Sequence, residues 1–367
     1  MVFLSSRAIA NTNTGTFPII NTAHRLTLST SFELDFWGKL RRASEAARAQ
    51  ALASRFGRDV TALTLAGTTT QAYFTLRSLD SQMAITRETL STREQSLEVV
   101  RSRARGGLVS DLDVNQAESA RADAALQLSE LLRNRALIEH QLGALTGKLD
   151  LAIAPGDLNA LPLPALPPAG LPSSLIERRP DVRQAEQTLV AANAQIGVAR
   201  AAQLPTFSLT GSFGGQSSDL GNLLNSAARI WSIGPSFSFP VFDAGKYAAR
   251  TREAEALQRR AVADYQKTIE TAFREVADAL INVQQFVAAA ADLQARVDAA
   301  RNVLRLSQRR YEAGYSAYLE VLDAQRSANT AEQGLVQSRQ ALLGFTVDLM
   351  KALGGGWAAN NPIARVP

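Results

Sequence analysis

The feature that most constrains this chain is a repeat at a fixed offset of 207 residues. Gly38-Lys39 returns as Gly245-Lys246, and RARGGLVSDLDVNQAESA from Arg103 returns as RYEAGYSAYLEVLDAQRSA from Arg310. Gly107 falls on Gly314, Leu112 on Leu319, Val114 on Val321, Ala117 on Ala324 and Gly147 on Gly354, every pair 207 apart. The copies match over about 110 residues with no net gap, so the fold is built from a duplicated supersecondary unit.

Proline placement shows what that unit is. The 13 prolines avoid about 37–154 and about 241–361 completely. They crowd into Pro155, Pro162, Pro164, Pro167, Pro168 and Pro172, which reads as an extended linker. Within the Pro-free stretches glycine falls at Gly106, Gly107 and Gly314, where a helical hairpin would turn. From Gly38 to Arg105 is about 67 residues, or about 100 Å of helix at 1.5 Å per residue. Leu79, Met83, Leu90 and Leu97 keep a 4-3 spacing, with Thr86 and Arg93 as its weak members. Phe286, Ala290, Leu293, Val297, Ala300 and Leu304 repeat that spacing, the signature of left-handed coiled-coil packing. Return helices are expected over about 112–145 and 319–353.

Ahead of each long helix the period drops to two. Leu26, Leu28, Phe32, Leu34 and Phe36 alternate with Thr27, Ser29, Ser31, Glu33 and Asp35. Trp231, Ile233, Phe237, Phe239 and Val241 alternate with Ser232, Gly234, Ser236 and Ser238, and a third such segment runs from Thr206 to Phe213. Clean alternation marks half-buried strands. Alone, such a segment fits the edge of a soluble sandwich as well as a membrane barrel strand of about 9–11 residues. Strands that feed directly into helices of this length favour the barrel, because a small soluble sheet offers them no anchor. Between the linker and the third strand, Arg179-Pro180-Asp181 reads as a helix start running to about Ala202. Its charges could also bind a neighbouring helix.

Composition excludes more than it selects. Aromatics are 6%, so the Ala-rich helices must pack on each other rather than around a bulky core. A net charge of +5 with interleaved signs and no basic run argues against a nucleic-acid partner. With no cysteine there is no disulfide or thiolate chemistry. No run of 18 apolar residues marks a transmembrane helix, and MVFLSSRAIANTNTGTF is not a signal peptide. The histidines, His24 and His140, lie far apart, and no phosphate loop is present. No catalytic, cofactor or metal site is expected, and the chain reads as a non-enzyme.

ERRPDVRQAEQTLVAANAQIGVARAAQLPTFSLTGSFG, FELDFWGKLRRA, FPVFDAGK and RRYEAGYSAYLEVLDAQRS together resemble the TolC-like outer-membrane efflux factors. The branch they resemble is the NodT/OprM-type lipoprotein channels of RND multidrug pumps, over about 25–358. The resemblance implies a mainly α fold with β: long coiled-coil hairpins forming a periplasmic α-barrel, and transmembrane strands contributing four per protomer to a 12-stranded barrel in a homotrimer. It implies a passive exit duct in the outer membrane, partnered by a periplasmic adaptor and an inner-membrane transporter. A type I secretion duct and a soluble coiled-coil scaffold or adaptor stand as alternatives. The organisation expected is a partial first repeat over 1–154 (strand about 25–36, hairpin about 38–147) and a Pro-rich linker over 155–173. A second repeat follows over 174–358 (strand hairpin about 205–242, helical hairpin about 245–353), then a tail over 359–367. The counterpart of 174–213 would lie before Met1. A signal peptide, the lipidated cysteine, a first helix and most or all of a first strand are therefore expected to be missing, with Met1 to Ser6 as the tail of that strand.

The resemblance also places function at the hairpin tips. Residues matching Leu319 and Asp323, with Glu320 as an additional candidate, constrict the closed periplasmic aperture in the family. Leu319 and Asp323 are four apart and share a helix face, so three-fold symmetry turns each into a ring. The first copy carries Leu112, Asp113 and Gln116 there, without the second carboxylate. Gly107 and Gly314 permit the tight turns, and by resemblance the same tips contact the adaptor.

Overall fold

The computed structural model describes residues 2–11, 19–163 and 178–355. The chain divides into two units, one of 1–54 with 184–266, the other of 55–183 with 267–367. In chain order the elements are β1 (Val2–Asn11), β2 (Ile19–Leu34), α1 (Lys39–Arg105), α2 (Asp111–Thr146) and a 3-10 turn (Leu158–Ala160). They continue as α3 (Pro180–Ala201), β3 (Thr206–Ser217), β4 (Arg229–Ser238), α4 (Lys246–Glu312) and α5 (Tyr318–Ala352). Both α1 and α4 run 67 unbroken residues, about 100 Å each.

The first unit holds one antiparallel sheet in the order β1-β2-β3-β4. Its register sorts the side chains by chemistry. Leu28 pairs with Phe213 and Phe213 with Trp231; Leu34 pairs with Phe207 and Phe207 with Phe237. On the other face Ser29 pairs with Ser212 and Ser212 with Ser232, where the two Ser212 and Ser232 hydroxyls lie 2.8 Å apart. Among the described residues much of the apolar face is exposed: Trp231 at 74% and Ile233 at 66%.

Three expectations need correction here. A first strand is present over Val2–Asn11 and pairs with β2 along its full length, Val2 opposite Leu28 and Asn11 opposite Ile19. It runs on to Asn11, past the Ser6 at which its tail was expected to end. The second strand starts at Ile19 and stops at Leu34, because Asp35 turns away to cap the next helix. The fourth stops at Ser238 rather than Val241, opposite Thr206, where its partner β3 begins after Pro205.

Both strand-to-helix junctions use the same device. The Asp35 carboxylate accepts from the N–H groups of Leu40 (3.1 Å) and Arg41 (3.0 Å) at the start of α1. Asp243 accepts from Tyr247 (2.7 Å) and Gly245 (3.0 Å) at the start of α4. Helix N-termini leave such donors unpaired and carry a positive partial charge, so a carboxylate is the fitting partner. Those two hydrogen bonds hold the Asp243 carboxyl below its usual pKa.

In the second unit α1 packs on α2 through Ala72, Leu76 and Leu142, and through Leu79, Met83 and Leu131. The polar members of the first seam, Thr86 and Arg93, are buried with the rest. The second seam is not sealed along its length: Val297 is buried but Ala290 is exposed. Phe286 of α4 meets Phe345 of α5, ring centroids 5.1 Å apart. The two hairpins join where Phe74 and Ile85 of α1 pack against Leu158, Val336 and Leu343.

The start of the Pro-rich segment is a clamp rather than a free spacer. Asp80, with 2% of its side chain exposed, accepts from Arg135 Nε at 2.7 Å, Arg77 Nη1 at 3.2 Å and the Gly156 N–H at 3.1 Å. Arg135 and Arg77 also donate to the Ile153 and Ala154 carbonyls, each at 2.6 Å. Arg339 of α5 holds the carbonyls of Asn159 and Leu161 at 3.0 Å. The rest of the segment, 164–177, lies outside the described residues, as do Gly356 and the tail.

Arg179 satisfies both readings of its motif. It chelates Asp181 at 3.0 and 2.6 Å at the start of α3, and reaches Glu275 of α4 at 2.7 Å and the Ala352 carbonyl of α5 at 2.9 Å.

Candidate functional site at the hairpin tips

The two tips turn by the same backbone motif. At the end of α1 the Gly107 N–H bonds to Ala104 O (2.9 Å) and the Leu108 N–H to Arg103 O (3.0 Å). At the end of α4 Gly314 bonds to Tyr311 O (3.0 Å) and Tyr315 to Arg310 O (2.8 Å). Gly107 has φ +72° and Gly314 φ +77°, the left-handed conformation this C-cap requires. A Cβ added at either would meet nothing within 4 Å, so the demand for glycine is conformational.

The tips then diverge. At the first, Ser110 and Asp113 form a reciprocal capping box, so the Asp113 carboxylate is committed to the helix start. At the second, Ala317 offers no side-chain cap. Glu320 is bound by Arg310 at 3.2 Å. Asp323 remains 62% exposed at the side chain, with Arg326 only 3.6 Å away on the same helix. Leu319 is 52% exposed. The structure thus leaves Leu319 and Asp323 facing outward, and ties Glu320 to its own hairpin.

Beneath this surface lies a layer that sequence reasoning missed. Tyr318, Val321 and Leu322 of α5 are buried against Leu97 and Val100 of α1 and Ala117 of α2. The Tyr311 and Tyr318 rings are 5.3 Å apart, and the Arg103 guanidinium sits 4.8 Å from the Tyr311 ring, a cation–π contact between hairpins. Burial pushes the Tyr318 phenol above its usual pKa. Arg93 is buried beside them, donates to the Ala120 carbonyl, and its pKa is depressed by burial. Arg93 Nε, the Tyr311 hydroxyl and both side-chain polar atoms of Gln325 are buried without a hydrogen-bond partner. The available signal was the break in the heptad at Arg93, an expensive residue at a seam position.

A sheet apolar on one face and polar on the other, continuous 67-residue helices and glycine-turned tips all match one family model, Outer membrane efflux protein, over residues 2–148 and 171–355. The chain belongs to this family.

The outer membrane efflux protein described here is 37% identical over 346 residues to the solvent efflux pump outer membrane protein SrpC of Pseudomonas putida, covering 93% of this chain and 73% of that protein. It is 38% identical over 330 residues to the outer membrane protein OprJ of Pseudomonas aeruginosa, covering 89% of this chain and 68% of that one. Among solved structures, the open state of the Neisseria gonorrhoeae MtrE outer membrane channel superposes with a TM-score of 0.83 at 33% identity, covering 97% of this chain and 80% of that one. All three are outer-membrane proteins by description, the first of a solvent efflux pump and the third a channel. Membership accounts for the exposed apolar face, which is where such a chain meets lipid. It also removes the soluble scaffold, whose hairpins would not need that face.

Proposed function

We propose that this efflux protein is the passive exit duct of a tripartite RND-type multidrug pump. It assembles as a homotrimer and joins a periplasmic adaptor to an inner-membrane transporter. The observation that carries the reading is the four-stranded sheet with an apolar face open to the outside and a Ser/Thr-rich face opposite. Four strands cannot close on themselves, and open edges are not tolerated in hydrocarbon, so neighbouring copies must complete the barrel.

In this reading Leu319 and Asp323 ring the periplasmic aperture, and Glu320 supports it through Arg310. The tips turned by Gly107 and Gly314 are the adaptor contact, and opening is an iris-like untwisting of the hairpins. The duct is wide and water-filled, so selection among small molecules resides in the transporter. The test is expression in a cell lacking its own efflux duct. Sedimentation with outer membranes, a heat-modifiable oligomer and restored drug resistance are expected. Recovery as a soluble monomer would refute the proposal.

A further inference from the structure

Where α1 meets α5, polar side chains pair across the two hairpins in a regular ladder. Gln333 Nε2 donates to Thr86 Oγ1 at 3.3 Å, and Thr89 Oγ1 donates to Asn329 Oδ1 at 3.4 Å. One helical turn closer to the tip on each helix stand Arg93 and Gln325. The ladder therefore brings these two level, and there the pairing stops. Arg93 is 9% exposed and Gln325 4%, yet Arg93 Nε and both polar atoms of the Gln325 amide have no hydrogen-bond partner.

The surroundings are closed and carry further donors. Next toward the tip comes the buried layer of Leu97, Val100, Val321 and Leu322. On the α4 side, Arg301 bonds Glu332 and Arg310 bonds Glu320, so the residues of α4 between these bonds lie level with Gln325. That stretch holds Ser307, itself 4% exposed.

Charge decides what such a place takes. Arg93 Nη1 donates to the Ala120 carbonyl, a neutral acceptor. Among the described residues, no carboxylate pairs with its guanidinium. Burial depresses the Arg93 pKa; Asp123, on the exposed side of α2, opposes this from a distance, and the positive charge of Arg326 reinforces it. A buried charge is costly unless it is paired as well as hydrogen-bonded. A bridging water satisfies donors but leaves the charge uncompensated.

We propose that a small monovalent anion, chloride being the simplest, binds between Arg93 and Gln325 and ties α1 to α5 just inside the tips. Arg93 Nε and the Gln325 amide nitrogen donate to it, and the Ser307 hydroxyl is the third donor at that level. One negative charge matches the one guanidinium. A phosphate dianion would bring more charge and more acceptors than these donors fill. The site lies within one chain, so it stands apart from the duct reading.

A ligand held by the folded protein and not by the unfolded chain raises Tm as its concentration rises. The full chain in detergent is melted at one ionic strength in sodium chloride, sodium bromide or sodium gluconate, the last anion being bulky. The unmutated protein is expected to melt several degrees higher in either halide, with Tm climbing as chloride replaces gluconate. Arg93→Met removes the charge and is expected to abolish that increment. Gln325→Leu keeps the charge but loses a donor, and should need several-fold more chloride for the same rise. Arg87→Met, at an exposed position of α1, is the control and should respond like the unmutated chain. Crystals grown in bromide are expected to show an anomalous peak between Arg93 and Gln325. Equal melting in chloride and gluconate overturns the proposal, and so does an Arg93→Met protein that keeps the full increment, which marks a general salt effect. If Arg93→Met does not fold, an unshifted chloride response in Gln325→Leu together with no bromide peak overturns it as well.

Discussion

Arg135 of α2 donates from Nε to Asp80 Oδ1 of α1 at 2.7 Å, and the same carboxylate takes the Gly156 N–H with its other oxygen. One carboxylate therefore joins two helices to the segment that crosses them. Removing one partner of a buried ion pair strands the other charge and costs about 3–5 kcal/mol. Asp80→Ala is expected to lose about that much in thermal or denaturant unfolding of the detergent-solubilised protein. Asp80→Leu with Arg135→Met removes that pair but leaves Arg77 and Glu139 without these partners, and is expected to recover only part of it. If Asp80→Ala unfolds like the unmutated chain, the clamp does not hold the segment.

The clamp also shows where sequence reading stopped. The hairpins were legible because α1, α2, α4 and α5 contain no proline and their tips carry glycine at matching positions. Strands β2, β3 and β4 were legible because apolar and small polar residues alternate in them. The sequence VFLSSRAIAN of β1 alternates only in part, and backbone pairing to β2 decides its structure. Asp80, Arg135 and Gly156 lie far apart in sequence, and nothing local announces their meeting. Thr86 breaks the heptad for a reason visible only in three dimensions, since its hydroxyl accepts from Gln333 of the other hairpin. Of the candidate site, the glycine turns were readable. The Arg310–Glu320 pair and the buried Tyr318 were not, because both depend on contacts across the turn.

The two faces of the sheet differ in what they tolerate. Ile233 lies opposite Gly211 on the exposed apolar face, and Ser232 opposite Ser212 on the polar one. A lipid-facing Arg near the bilayer midplane costs about 2–4 kcal/mol, whereas the lumen side is wet. Ile233→Arg is expected to cut the amount of heat-modifiable oligomer in outer membranes several-fold, and Ser232→Arg to leave it within about a factor of two. Equal yields from the two variants would show that the apolar face does not meet lipid.

Acid should loosen the junction between linker and helices. Burial raises the Asp181 carboxyl, but its hydrogen bonds and charge pairing with Arg179, together with the Val182 N–H, outweigh this and leave its pKa below the usual value. A carboxyl lowered on folding stabilises the protein above its unfolded pKa of about 3.9. That contribution is lost as pH falls through the lower folded value. Between about pH 5 and pH 3 the unmutated chain is expected to lose stability more steeply than Asp181→Asn, which has no proton to take up there. Parallel curves for the two proteins would mean that the Arg179 pair does not couple folding to pH.

The aperture assignment separates three neighbouring residues. Asp323 is exposed and paired only loosely with Arg326 at 3.6 Å, and such surface pairs contribute at most about 1 kcal/mol, so Asp323→Ala should fold normally. If its carboxylates ring the closed aperture, their removal is expected to raise single-channel conductance in planar bilayers several-fold. Glu320→Ala frees Arg310 without touching the ring and is expected to act less. Gln116→Ala, at the matching place on the other tip, should leave conductance unchanged. Conductance of Asp323→Ala equal to that of the unmutated channel would take the gate away from Asp323, while a rise in all three would point to general loosening of the tips. Only the graded order, Asp323 above Glu320 above Gln116, fits a gate built from the second copy of the repeat alone.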